Sequence, residues 1–258
     1  MWQRIKEIYA YREMLKNLVS KELRARYKGS ILGFFWTFFN PLLMLIVYSF
    51  VFSFVMRSGI KNYSMFLFVA LLPWNYLSSS ILQGAASLVQ NASLIKKVYF
   101  PREVLPLSVV LANLINYLLS LLILIPALLL FKIRLTWALL AFPLVLLVET
   151  ILVASLTLLV SVGNVYFRDL EHITGVFMTA WFFLTPVVYS AETVPPNAKK
   201  FFAINPAAHI IEAYRDIFYE GIWPDWKALL YVGLGCLILF WLSLLAFQRW
   251  QKDIAEEI

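Results

Sequence analysis

The sequence predicts an all-α integral membrane protein. Six transmembrane helices are expected, with an N-terminal amphipathic helix at one membrane interface and two short helices at the other. Three observations carry the prediction. Of 258 residues, 62% are hydrophobic and only 14% charged, against roughly 25% charged in a water-soluble domain, and the mean hydropathy is +0.77. The apolar residues gather into charge-poor runs near the ~20 residues that a helix needs to cross a bilayer. Most of the Lys and Arg lie between those runs, on segments that alternate spans bring to one side.

Residues 1–30 alternate charged and apolar groups and contain no continuous hydrophobic core, so no cleavable signal peptide is expected. Ile8, Tyr11, Leu15, Leu18, Val19 and Leu23 recur at helical steps, with Arg12, Lys16, Lys21, Arg24, Arg26 and Lys28 elsewhere on the wheel. That pattern suits a helix lying among anionic headgroups, the alternative being a solvated basic arm. The expected spans follow at 31–56, 64–83, 104–131, 135–165, 173–190 and 228–248, forming one transmembrane domain over 31–248 with a tail at 249–258. The charge-poor stretches 62–95 and 135–167 fall short of the ~40 residues that two crossings each would take. Within 191–227 the longest charge-free run, 201–211, is too short to span and contains His209. An even number of crossings puts both termini on one side. With the termini inside, 14 Lys and Arg are cytoplasmic and 8 outside, which predicts that orientation.

Between the second and third spans, 91–103 reads NASLIKKVYFPRE. Asn91 or Ser93 can cap a short helix there and Pro101 can end it, leaving Leu94, Val98 and Phe100 as an apolar face beside Lys96 and Lys97. A helix this short needs something to pack against, so the segment either docks into a partner or is a structural loop. On the outer side, Pro195-Pro196 and Asn205-Pro206 are helix-start signals. Ile210, Ile211, Tyr214, Ile217 and Phe218 then share one face, with Glu212, Arg215, Asp216 and Glu220 mainly elsewhere and Gly221 near the end. Such helices can gate a passage or cover the rim of the bundle. Glu149 is the one acid in the middle of a span, where ionisable groups are costly and a functional role is the default. The alternative is a hydrogen-bonded pair with Thr150, Ser155 or a neighbouring helix.

Aromatic residues make up 17% of the chain. Trp74, Trp137 and Trp223 are expected in the outer interfacial belt and Trp250 in the inner one. Phe34, Phe35, Trp36, Phe38 and Phe39 in the first span, and Phe177, Trp181, Phe182 and Phe183 in the fifth, need another account. They either pack or face lipid, or they line a path on which sugar C–H faces stack.

Several function classes lack their residues. The single cysteine, Cys236, lies in an apolar run, which leaves no disulfide within the chain and no multi-thiolate metal site. None of the nine glycines is followed by lysine, so there is no phosphate loop. His172 and His209 are expected on opposite sides of the membrane, and no H-E-x-x-H or G-x-S-x-G is present. No catalytic residue, metal ligand or bound cofactor is assigned. The formal net charge of +7 is read as orientation and headgroup contact, with no nucleic-acid partner. The spans also lack the charge-lined, broken pair of an ion-coupled transporter, so a transporter of this kind would draw its energy from elsewhere.

Five stretches carry a resemblance: KELRARYKGSILGFFWTFFNP (21–41), SLIKKVYFPRE (93–103), YFRDLEHI (166–173), TPVVYS (185–190) and INPAAHIIEAYRDIFYEG (204–221). Together they are similar to the membrane subunit of type-2 ABC exporters for bacterial polysaccharides, in the O-antigen and teichoic-acid branch, over essentially the whole chain. The resemblance implies a permease without catalysis of its own in the bacterial cytoplasmic membrane. It would be a homodimer served by two copies of a separate ATPase that uses ATP and Mg. Its substrate would be a polyprenyl-diphosphate-linked glycan passing at the dimer interface. It also implies that 92–101 is the helix coupled to the ATPase, through Leu94, Lys96, Lys97, Val98, Phe100 and Pro101. The outer helices become gate helices, with Ile210, Tyr214 and Phe218. On this reading Arg24, Arg26 and Lys28 are candidates for the diphosphate, and Phe35, Trp36, Phe39, Phe177 and Trp181 for the sugar path. An exporter of a drug or lipid, and a membrane transferase acting on lipid-linked sugar, stand as alternatives.

Overall fold

The computed structural model describes residues 2–26, 28–51, 60–195, 199–251 and 254. At the basic end, α1 (Trp2–Ala10) and α2 (Arg12–Ala25) are separated by a break at Tyr11. Leu18 and Val19 of α2 are buried while its basic residues stay exposed, as an interfacial amphipathic helix requires. After a 3-10 turn at Gly33–Phe35 come α3 (Trp36–Phe50), α4 (Tyr63–Ala85), and two short helices, α5 (Ser87–Gln90) and α6 (Ala92–Lys97). The chain continues through α7 (Val104–Leu130), a 3-10 turn at Trp137–Ala141 and α8 (Phe142–Tyr166) to α9 (Leu170–Leu184). At the opposite end lie α10 (Lys199–Ile204), α11 (Pro206–Arg215) and a π turn at Asp216–Glu220, before α12 (Trp226–Trp250) returns to the basic end.

Five helical segments among the described residues are long and apolar enough to cross a membrane: Gly33–Phe50, Tyr63–Ala85, Val104–Leu130, Trp137–Tyr166 and Trp226–Trp250. The last residues expected of the first span, 52–56, lie outside the described residues. The fifth expected span differs. Instead of a helix over 173–190, α9 has 15 residues, about 22 Å at 1.5 Å per residue against ~30 Å of hydrocarbon. Pro186 explains where it stops. The residue before a proline is pushed out of the helical region, and Thr185 is extended at φ −108°, ψ 136°.

The core is centred on α4, which packs against α7 and α8, while α8 runs along α12. Where α4 meets α8 the helices touch at Gly84, and any Cβ there would overlap Thr157 Cγ2. Small residues at such crossings let backbones approach, which is the main source of packing energy between helices in lipid. A second apolar cluster at the basic end joins Leu18 of α2, Ile95 of α6, Val104 of α7, Val162 of α8 and Phe247 of α12. Trp74 departs from its expected place in the interfacial belt: it is buried in mid-α4, edge-on to Trp181 at 5.9 Å and Phe182 at 5.5 Å. Trp137, Trp223 and Trp250 are exposed, as belt residues would be.

Candidate functional site

The basic end carries two surfaces. The segment expected to be helical over 92–101 is helical only to Lys97, because Val98 is extended at φ −132°, ψ 137° and the chain stays out of helix up to Pro101. Val98 stays outside while Phe100 turns in, so the one-face grouping of Leu94, Val98 and Phe100 breaks up. Phe100 is 5% exposed in the second apolar cluster, with Pro101 buried beside it, whereas Tyr99 is 84% exposed. Lys96, Lys97 and Val98 are exposed and Leu94 half-buried. Lys96, Lys97, Val98 and Tyr99 border a concavity of about 480 Å³ with Arg102 and Gln251. The Arg102 guanidinium donates to the Gln251 carbonyl, tying this corner to the end of α12. Asn91 does not cap α6. Its amide donates to Ser87 O at 2.8 Å and its carbonyl accepts from Lys21 Nζ at 2.9 Å, which joins α2 to the α5–α6 corner.

The three cations grouped as 24, 26 and 28 are divided between two places. Arg24 and Lys28 lie with Asn17, Ser20 and Lys21 around an open depression of about 710 Å³. Arg26, two residues on and so on another side of the helix, turns into a groove between α3, α4 and α7. There its Nη2 donates to Gln83 Oε1 at 2.5 Å and to Asn113 Oδ1 at 2.7 Å. Asn113 Nδ2 donates in turn to Val109 O at 3.1 Å and Gln83 Oε1 at 3.2 Å. The groove encloses about 160 Å³, and Asn40, Asn75, Ser79, Asn116 and Trp36 contribute to its wall.

The aromatic candidates face three ways. Phe35, Phe39 and Phe177 are exposed on the protomer surface. Trp36 borders the polar groove, its indole N–H donating to Ser30 Oγ at 3.0 Å. Trp181 turns towards α4, and its Nε1 donates to Asn205 Oδ1 at 2.9 Å.

At the opposite end, Ile210, Tyr214 and Phe218 point into the protomer core and are almost fully buried. Tyr214 Oη donates to Glu149 Oε2 at 2.5 Å, so the mid-span acid of α8 is held by a neighbouring helix, and both residues are buried. Tyr214 also meets Tyr117 of α7 and Phe142 of α8, each with ring centroids at 6.1 Å. Arg215 corrects its expected place on the polar face of α11, being 6% exposed. Its guanidinium donates to the carbonyls of Pro186 (2.5 Å), Val187 (2.7 Å) and Tyr189 (3.2 Å), and lies 3.6 Å from the centroid of the Phe66 ring. The turn that ends α9 has carbonyls with no helical donor, and Arg215 supplies one. Asn205 completes the joint: it caps α11 at Ala207 N (3.1 Å) and donates to Leu184 O (3.1 Å) and Thr185 Oγ1 (3.0 Å).

Sequence reading passed over the polar groove, although a signal existed. Asn113, Asn116, Tyr117 and Ser120 follow the i, i+3, i+4, i+7 rhythm of one face of α7, and Asn75, Ser79 and Gln83 follow an i, i+4, i+8 rhythm on α4. Polar stripes inside apolar spans mark a protein-facing or water-facing side. Tyr99 as part of the basic-end surface, and the bond from Lys21 to Asn91, have no such signal in the sequence. They depend on where a helix stops and on how residues 70 positions apart meet.

Residues 13–219 match the ABC-2 type transporter family. The chain is 40% identical, over 98% of both sequences, to the O-antigen export system permease protein RfbA of Myxococcus xanthus. A protein of the same name from Klebsiella pneumoniae is 33% identical over 95% of this chain and 94% of its own. The polysialic acid transport protein KpsM of Escherichia coli is 22% identical over 90% and 91%.

Proposed function

From the premise that the chain belongs to the ABC-2 type transporter family, we propose how it performs polysaccharide export. It is the membrane permease of an ABC transporter, does no catalysis of its own, and depends on a separate ATPase for ATP hydrolysis. The observation that carries this function is the full-length likeness to O-antigen export permeases. The finer reading is ours. Two copies of this chain and two ATPase subunits form the exporter in the bacterial cytoplasmic membrane, with both termini inside. The cargo is a glycan on a polyprenyl diphosphate, of O-antigen or teichoic-acid type, and the exporter makes six crossings per chain.

Physical arguments support each part. The short α9 serves as the fifth crossing because Arg215 and Asn205 splice its end to α11, so the outer helices make up the missing length. The ATPase docks on the exposed Lys96, Lys97, Val98 and Tyr99, while Phe100 and Pro101 anchor that segment inside. A push on α6 reaches α7, α8 and α12 through the second apolar cluster, since packed side chains transmit displacement. Arg24 and Lys28, with Lys21, receive the diphosphate at the headgroup boundary. The exposed rings of Phe35, Phe39 and Phe177 face the sugar path between protomers. In the outer gate, Ile210, Tyr214 and Phe218 act as the fixed hinge side, because all three are locked into the core.

Depletion of the chain tests the cargo: lipid-linked glycan is expected to accumulate on the cytoplasmic side. Normal surface glycan would favour a drug or lipid cargo instead. The double reversal Lys96→Glu, Lys97→Glu is expected to abolish co-purification of the ATPase, and undiminished co-purification and export would remove the docking surface from this account.

A further inference from the structure

The groove between α3, α4 and α7 is walled by polar side chains although all three helices belong to segments of membrane-spanning length and composition. We propose that it is a subsite for a single pyranose ring of the carried glycan. Asn40, Asn75, Ser79 and Asn116 would hydrogen-bond the ring hydroxyls and Trp36 would stack on its C–H face. This rests on the polysaccharide reading above and adds a site within one protomer to the path between protomers.

Asn116 is the first reason. Both of its amide atoms are enclosed, and neither has a hydrogen-bond partner among the described residues. Leaving a carboxamide unpaired in such a setting costs several kcal/mol relative to water, and a leucine at this position would avoid the cost. Asn75 is little better served, its amide nitrogen contacting only the Met44 thioether at 3.8 Å. Both residues line the groove, so hydrogen-bonding capacity that the described residues leave unused lies at its wall. Trp36 gives the second reason. Its N–H donates to Ser30 and its ring lies edge-on to Phe39 at 6.5 Å, which hold in place an aromatic side chain that borders the groove.

Chemical type separates a sugar from a phosphate. A carboxamide presents a donor and an acceptor side by side, which matches a hydroxyl that both donates and accepts, whereas an acceptor-only phosphate uses the NH2 and leaves the oxygen unpaired. Arg26, the cation on the wall, is forked onto Gln83 and Asn113, while Arg24 and Lys28 lie around a different depression. Arg26 therefore orients the two carboxamides at the groove mouth. Size sets the extent of the ligand. At about 160 Å³ the groove is smaller than the ~300 Å³ of the smallest pockets that enclose a whole ligand, so it admits one ring of a longer chain. A few neutral hydrogen bonds give weak binding, which suits a polymer that must move on.

The test uses the intact permease–ATPase complex in lipid nanodiscs. The probes are neutral methyl pyranosides of gluco, manno and galacto configuration, read by saturation-transfer NMR, with inorganic pyrophosphate as competitor. At least one pyranoside is expected to receive saturation. Asn116→Leu, Asn75→Leu and Trp36→Leu should each weaken that binding by about two- to tenfold, the range set by one lost neutral hydrogen bond or stacking contact. Ser79→Ala, which leaves the packing volume almost unchanged, should weaken it about twofold, and retained ATPase co-purification shows that each variant is folded. Saturation of none of the pyranosides, equal saturation in all variants, or displacement by pyrophosphate would overturn the proposal. The export reading fails separately, if depletion of the chain leaves no lipid-linked glycan inside the cell.

Discussion

The Gly33–Phe50 segment, α3 with the turn before it, and α4 are equally apolar by mean hydropathy and both are long enough to cross a membrane, yet 78% of the α4 span is buried inside the protomer against 11% of the α3 segment. The difference lies in side-chain shape. Where α4 crosses α8 it presents Gly84, which lets the backbones close, and it holds Phe66, Phe68, Trp74 and Tyr76 inside. The outward face of α3 and the turn before it carries Phe35, Phe39, Leu43, Ile46 and Val47, which the described residues leave exposed. In a bilayer, lipid tails are as apolar as leucine, so hydropathy moves a helix into the membrane and close packing decides what it touches there. The hub closes on α8 at a residue with no side chain, and the face left over is built from large ones.

The largest effect that would break this contrast is Gly84→Leu. The new side chain collides with Thr157, and overpacking at a crossing costs about 1–3 kcal/mol or more. Loss of monodisperse folded protein in detergent, followed by fluorescence-detected size exclusion, is the expected result, and a fully stable variant would show that α4 is not the hub. Next comes Tyr214→Phe, which removes the bond to Glu149 and leaves a buried carboxyl unpaired at a cost of about 1–3 kcal/mol. Thermal unfolding should fall, and adding Glu149→Leu should recover part of the loss, because a buried pair removed together costs less than one partner removed alone. The smallest effect is expected from Ile46→Ala on the exposed face of α3. Unfolding of the protomer should stay within about 0.5 kcal/mol of the parent, and a drop as large as that of Tyr214→Phe would mean that α3 is packed like α4.

Most of the helices were legible because their signals are local. The ends of α7 and α12 fall within two residues of those expected, since charge and proline mark them on the chain itself. The apolar run continues past the end of α9 to Ser190, but Pro186 restricts Thr185 and stops the helix first. Arg215 was assigned to the polar face of α11 because a helical wheel shows neither the carbonyls of 186–189 nor the ring of Phe66. Arg24, Arg26 and Lys28 looked like one basic cluster because they are close in sequence, and the helical turn divides them. The polar stripes of α4 and α7 were visible residue by residue. That they face one another across a groove was not, since it depends on the rotation of two helices about their axes.

By itself the sequence determined the membrane setting, the all-helical class, the amphipathic arm and the short cationic segment before Pro101. Each of these follows from composition, period or a neighbour within a few residues. Only the tertiary structure decided which equally apolar helix is the hub, which partner Glu149 takes, and where the carboxamides of α4 and α7 converge. The reason is physical: in an apolar solvent burial no longer sorts residues, so specificity passes to close contacts and hydrogen bonds between segments far apart along the chain.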